Sequence, residues 1–401
     1  MNWPKHVAVV VVTIFLLTAS NLSEAAKPPA GGGGGTTTSY RTVPLSSSEG
    51  LVQAVNGSGE MVGYVQGPMQ AQHWTVSDTN VVISTTLDSD LVVGDQIISF
   101  DSGASDINDQ GFIVGALGFY EFPDQWRPVI WNNKNGPARE LPIPQGTTGE
   151  AYGISNQPLA FNGLKAVVVG RFIDRNSTPD PVTYAVAWGI LDDQNFTITQ
   201  PVILDVGMAT PEITEYETVA MSINSSLAVV GVVEQMAHRW QLSLNWNNST
   251  PVFSVTSTTA LFPSAASSTA NAINDSGDIC GEASGRAYLL ENVNGVLTNR
   301  TLPLLVNTSR TSTTNVLAAA LDDSATPKVL GAVNVFRKSS GIIDRFYAPV
   351  LWQGTNVVDL EKSNTTTGLS PNYPTDINNS GWIVGNAWTG SIHIPAVLIP
   401  Q

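Results

Sequence analysis

The chain has 401 residues, a formal charge of −15 and an isoelectric point near 4.5. That balance argues against nucleic-acid and anionic-membrane partners, which both call for a basic surface. A single cysteine, Cys280, rules out an intramolecular disulfide.

Residues 1–25 read as a signal peptide. Lys5 supplies positive charge, an apolar run extends from Val7 to Leu17, and Ser23-Glu24-Ala25 gives the small-x-small pattern of a cleavage site. The run is shorter than the roughly 20 residues of a membrane span. Residues 26–39, rich in Gly, Pro and Thr, read as a flexible linker. The expectation is an exported, soluble monomer in a periplasm or outside the cell, with no membrane attachment once the leader is removed. Residues 40–401 form the remaining domain.

A phrase recurs seven times there: an aliphatic residue, a short polar one, then an aliphatic-Gly pair. Compact copies are AVNGSGEMVG from Ala54, DINDQGFIVG from Asp106, SINSSLAVVG from Ser222, AINDSGDICG from Ala272 and DINNSGWIVG from Asp376. Stretched copies begin at Gly153 and Ala320. The closing glycines, Gly63 to Gly385, stand 50 to 61 residues apart. A repeat of that period is one supersecondary unit copied about an axis.

Each copy reads as four strands. The first ends in an Asx turn, where the short polar side chain and a following Gly suit a tight reversal. The second ends in the aliphatic-Gly pair. The third reads QAQHW, RPVIW, YAVAW, LSLNW, RAYLL, APVLW and PAVLI, with a small second residue and Trp last in five copies: Trp74, Trp131, Trp188, Trp246 and Trp352. Asn135-Gly136 and Asn294-Gly295 mark turns into a fourth strand, RELPI from Arg139 and RTLPL from Arg300. The last copy lacks a fourth strand, and Arg41 to Leu45 (RTVPL) lies spare before the first. Such a strand completes the last sheet of a closed ring. The sequence therefore predicts an all-β, seven-bladed propeller of four-stranded antiparallel blades, closed by an amino-terminal strand.

The turn phrase followed by x-A-x-x-W resembles the HAF-family extracellular repeat of bacteria, named for a His-Ala-Phe in its third strand. The resemblance spans residues 40–401, although no copy here carries literal His-Ala-Phe. It implies an exported, propeller-like repeat protein and supplies no catalytic residue.

Binding chemistry is expected on the face that carries the second-to-third-strand connections, because unequal loops on a rigid ring are where function is placed. Candidate contacts are Tyr120, Phe122, Trp126 and Arg127 in blade 2, and Arg171 and Arg175 in blade 3. Phe336 and Arg337 follow in blade 6, and Trp388 and His393 in blade 7. Aromatic faces beside arginines suit a glycan or a protein partner. They also suit hairpins that merely pack on the ring.

An enzyme reading, a lyase acting on an anionic polysaccharide, needs a His or Tyr base and an Arg. His238 with Arg239, and Tyr347 with Arg345, supply those types, and His238 and His393 are expected to reach the loop face. A structural matrix component is the third reading. The Asx phrases at Asp106 and Asp376 resemble the start of a calcium loop but lack its late carboxylate, so turn chemistry explains them. No metal or cofactor is expected, and Cys280 reads as a buried aliphatic substitute.

Overall fold

The computed structural model describes residues 38–401, apart from 94–95, 120–121, 157–162, 178–180, 194–195, 209–217, 248–249, 306–310 and 340–341. The expected signal peptide, residues 1–25, and most of the expected linker, residues 26–39, lie outside the described residues. The chain folds as seven four-stranded antiparallel sheets arranged as a propeller. The first strand of every blade touches the first strand of the next, so these strands line the axis.

The repeated phrase is explained at the inner edge of each blade. Every first strand bulges two pairs before its turn, as between Val52 and Ala54 or Pro374 and Asp376. The bulge drives a carbonyl of the first strand towards the closing glycine of the second. A Cβ on Gly63, Gly115, Gly170, Gly231, Gly281, Gly331 or Gly385 would sit 2.0–2.1 Å from that oxygen. No side chain survives such a contact, so the glycine answers a close approach of backbone.

The Asx residue does two jobs. Within its blade, Asn274 Oδ1 accepts from the N–H of Asp278 at 2.8 Å, and Asn378 Oδ1 accepts from that of Trp382 at 3.0 Å. Towards the next blade, its Nδ2 donates to the backbone carbonyl of the following Asx residue. The chain of bonds runs Asn378 to Asn56 (3.0 Å), Asn56 to Asn108 (3.2 Å) and Asn108 to Ser155 (2.9 Å). It resumes from Asn224 to Asn274 (2.9 Å) and on to Asp322 (3.0 Å). Ser155 and Asp322 lack an amide, and there the sequence of donors stops. Only a carboxamide both closes the turn and reaches the neighbour, which is why Asn dominates.

Third-strand tryptophans staple blades together. Trp131, Trp188 and Trp352 are buried, and their indole N–H groups donate to the carbonyls of Asp88, Pro142 and Pro303, each leaving the preceding blade.

Two third strands are framed differently from expectation. In blade 4, Gly231 pairs with His238 and Val229 with Trp240, so the repeat unit is MAHRW rather than LSLNW, and its closing tryptophan is the buried Trp240, whose indole N–H donates to Asp205 Oδ2 at 3.4 Å. In blade 7, Gly385 pairs with Ala396 and Ile383 with Leu398, so the unit is IPAVL rather than PAVLI. With both corrected, the second position is always Ala or Pro.

Closure follows the predicted route. The strand Tyr40–Pro44 pairs with His393–Pro400 as the outer strand of blade 7. Its register is shifted by two residues from the phrase match: Leu398 faces Thr42, whereas its blade 5 counterpart Leu290 faces Asn299. A two-residue offset keeps each side chain on its original face, so the latch still fits. Thr42 Oγ1 fastens it to Asn364 Oδ1 at 2.8 Å.

The two faces depart from the even picture of tight turns opposite long loops. A hairpin, Asp90–Val93 with Gln96–Ser99, stands between blades 1 and 2, and a single helical turn, Leu360–Ser363, follows blade 6. On the Asx-turn face, the blade 4 hairpin of Met236–Asn247 and Thr250–Ala260 runs past its sheet, and Leu242, Leu244 and Phe253 pack on blade 3. On the opposite face, blades 4 and 5 have two-residue turns at Glu234-Gln235 and Ser284-Gly285, all four residues at positive φ. Blade 6 instead extends into a long hairpin paired out to Ser339 and Ile342. Asn294-Gly295 is the expected two-residue turn with positive φ at both positions. Asn135-Gly136 lies inside a longer connection between Trp131 and Ala138.

Candidate functional site

The open ends of blades 6 and 7 bring four rings together on the loop face. Trp388 ends the second strand of blade 7 and pairs with His393, which begins the third. Their rings lie 4.7 Å apart, and the ring of Tyr373, from the inner strand, lies 5.6 Å from the imidazole. Tyr347, on the blade 6 hairpin, is 38% exposed. Burial, and secondarily the Tyr347 hydroxyl, raise the Tyr373 phenol above its ordinary pKa, so it stays a neutral hydrogen-bonding group.

Local sequence places these residues. Pro371 and Pro374 flank Tyr373 and interrupt the inner ladder on both sides, and the Tyr373 N–H donates to Asn386 Oδ1 at 3.2 Å instead. The Asn372 carboxamide stands 3.2 Å from His393 Nδ1. An amide NH₂ only donates, so Nδ1 accepts and the ring proton sits on Nε2. Burial lowers the His393 pKa, which keeps the ring neutral. A connection with hydroxyls at Thr389 and Ser391 closes the edge. Aromatic faces, a neutral imidazole, carboxamides and hydroxyls can stack on an apolar face and exchange hydrogen bonds around it.

No family model matches the chain. No curated protein matches it either.

The remaining sequence-derived candidates are scattered. Tyr120 lies outside the described residues, and Phe122 pairs through its backbone with Phe119. Trp126 is buried against Gly118, with its indole N–H unpartnered. Arg127 donates to the Thr147 carbonyl at 2.9 Å and so ties blade 2 to blade 3. Arg171 is not on a loop. It is buried in the strand Leu164–Asp174 and bonded to Glu150 at 2.8 Å, beside Tyr152, whose hydroxyl also donates to Glu150. Arg175 is exposed in the turn that follows that strand. Phe336 and Arg337 are paired with Arg345 and Asp344 along the blade 6 hairpin.

His238 stands in the third strand of blade 4, where Nδ1 is 2.9 Å from the Met236 carbonyl oxygen. Arg239 follows it on the opposite face of the strand, 3.2 Å from Gln241 Oε1. Blade 5 separates this pair from Tyr347 and Arg345. Of the proposed residues, the structure unites Trp388 and His393, with Tyr347 nearby, and adds Tyr373. One signal could have found Tyr373: the first-strand position whose carbonyl crowds the closing glycine is Leu, Gly, Glu, Val, Thr and Leu in the other blades, and aromatic only here.

The axial mouth on the Asx-turn face is a second concavity, a cavity of about 160 Å³ lined by turn residues of all seven blades. Asp106 and Asp376 bridge blades there. Asp376 Oδ2 accepts from the Val55 N–H at 2.9 Å, and Asp106 Oδ2 from the Ile154 N–H at 2.8 Å. Burial outweighs these bonds and pushes Asp106 up to about 7 and Asp376 up to about 6. Among the described residues, no group of three or more His, Cys, Asp or Glu is arranged to hold a metal. The turn side chains at this mouth are engaged with neighbouring blades, which makes it the closure of the ring.

Proposed function

We propose that the chain is an exported binding propeller, akin to the HAF-type extracellular repeats, that holds a glycan through its loop face. The observation that carries this reading is the cluster of Tyr373, His393 and Trp388 rings, with the exposed Tyr347 near Tyr373 and amides and hydroxyls close by. Rings presented at the rigid rim of a propeller stack on sugar faces without an ordering cost in the loops. The chain's charge of −15 fits an extracellular, soluble setting and a monomer that does not self-associate.

A glycan array probed with residues 38–401 tests the reading. Binding to at least one glycan class is expected, with loss in both Trp388→Ala and the more exposed Tyr347→Ala. A folded protein that binds nothing on the array, or variants that bind as well as wild type, would refute it. Incubation with polysaccharides is the companion assay: release of shorter products would replace simple binding with the lyase reading.

A further inference from the structure

We infer that the seam between blades 3 and 4 is where the propeller opens, and that the overlong hairpin of blade 4 is a strap that holds it shut. At the axial mouth, two kinds of bond lace neighbouring turns. One is the carboxamide bond described above. The other is a backbone N–H given to the next blade's side chain: Gly57 to Asp109 (2.7 Å), and Asp109 to Asn156, Ser225 to Asp275, Asp275 to Asp323 and Asp323 to Asn379 (2.8 Å each). Every other seam carries one kind or both, but among the described residues neither runs from blade 3 to blade 4. Ser155 has no amide to give, and its Oγ accepts from the Val167 N–H of its own blade at 3.0 Å.

The bulge residues repeat the contrast. Asn271 and Thr375 reach from their bulges to the carbonyls of Ala318 and Val52 in the next blade, at 2.8 and 2.7 Å. Tyr152, their counterpart in blade 3, gives its hydroxyl to Glu150 of its own strand and packs on Val219 and Val232. The indole bond from Trp240 to Asp205 is also the longest of its kind, 3.4 Å against 2.6–2.8 Å at Trp131, Trp188 and Trp352. At the loop-face end, the Thr218 N–H donates to Thr183 Oγ1 at 3.0 Å. The two blades are thus pinned at one end and unlaced at the other.

What holds the unlaced end is apolar and belongs to one element. The blade 4 hairpin pairs out to Asn247 and Thr250 and carries Leu242, Leu244 and Phe253 into a cluster with Leu164 and Val169 of blade 3. Blade 3 has a seat for it. A Cβ on Gly189 would lie 2.4 Å from Phe253 Cε2, so a glycine there lets the phenyl lie against the strand. The same position in the other blades is Thr75, Asn132, Gln241, Glu291, Gln353 or Ile399, so the glycine is peculiar to the blade that receives the strap. Parting apolar surfaces strands no buried donor, so this seam opens without the unmade hydrogen bonds that opening any other would leave. In a ring of seven it lies opposite blade 7, and the propeller yields away from its latch.

Native-state thiol labelling tests this. Cys280, the chain's single cysteine, is buried between blades 5 and 6, just before its closing glycine. Val169 holds the same position in blade 3 and is buried in the cluster that spans blades 3 and 4. The native protein is compared with a Val169→Cys, Cys280→Val variant, each labelled while folded by an aromatic disulfide in low concentrations of urea. The thiol at 169 should react about tenfold or more faster than that at 280, at a rate nearly flat in urea, as local opening requires. The rate at 280 should climb with the slope of global unfolding. Phe253→Ala empties the seat and Gly189→Ala blocks it, so each should raise labelling at 169 by about fivefold or more. Leu351→Ala, buried in blade 6, should leave labelling at 169 within about twofold. Where Phe253→Ala does not fold, Gly189→Ala carries the test. Equal rates and equal urea slopes at the two positions overturn the opening. Labelling at 169 that ignores the loss of Phe253 and the added methyl at Gly189 overturns the strap.

Discussion

Gly115→Ala is the sharpest test of why the repeat ends in glycine. The new Cβ would lie 2.0 Å from the Gly103 carbonyl oxygen and 3.0 Å from the Ala104 Cα, both in the inner strand of blade 2. An ordinary contact is roughly 3.4 Å, so the strands must part by more than 1 Å. That movement loosens about two ladder hydrogen bonds at about 1 kcal/mol each and adds an overpacking term of about 1–3 kcal/mol. A total near 4 kcal/mol in a domain of this size lowers the thermal midpoint by about 5 °C. Gly103 is the internal control, because a Cβ there meets nothing nearer than Met69 Cε at 3.9 Å and its φ lies outside the left-handed region. Gly103→Ala should be neutral, or stabilising by about 0.5 kcal/mol through the unfolded chain. Differential scanning calorimetry of the two variants decides. Equal midpoints, or the larger loss at Gly103, would refute the claim that the bulge dictates the glycine.

Asn274→Asp removes a donor to the Asp322 carbonyl and sets a carboxylate beside Asp278. It should cost about 2–4 kcal/mol in urea unfolding, against less than about 0.5 for Asn135→Asp in an exposed turn. Acidity should stabilise the ring. Asp106 and Asp376 are raised to about 7 and about 6 when folded, above the unfolded value near 3.9, so the folded chain binds more protons between them. That contribution is full below about pH 4 and is lost as pH rises through about 6 and 7. The thermal midpoint should fall from pH 5 to pH 8, and the slope should flatten in the Asp106→Asn, Asp376→Asn double variant. Deletion through Pro44 removes the outer strand of blade 7 and bares the edge of His393–Pro400. Light scattering should show association, and the midpoint should drop by about 10 °C or more. A monomer of unchanged stability would mean that the latch does not close the ring.

The architecture was legible because its determinants are local and repeated. A bulge that demands Gly and a turn that demands Asn leave the same letters in each copy, whatever the loops do. Legibility failed where one residue type satisfies two frames. In MAHRWQLSLNW, both A-H-R-W and S-L-N-W match the third-strand phrase, and they lie six residues apart, an even step that keeps the same side chains facing inward. Only the pairing of Gly231 with His238 separates them, and pairing is a property of two strands, not one. The same reasoning accounts for the two-residue offset of the latch, since alternation is indifferent to even shifts.

The ring cluster was half legible for a different reason. Trp388 and His393 face each other across a short connection, so a candidate loop naturally contained both. Tyr373 comes from the inner strand of the same blade and Tyr347 from the preceding blade, so strand pairing and blade packing, not nearness in the sequence, bring them to the pair. Arg171 shows the converse. In the sequence it sits beside a charged loop, but Glu150 and Tyr152, two residues apart on the neighbouring strand, turn it inward. An arginine beside a loop is therefore a weak sign of a site until the strand opposite is known. An aromatic that takes a position held by small, aliphatic or other polar residues in every sister repeat is a stronger one, because the shared fold does not require it there.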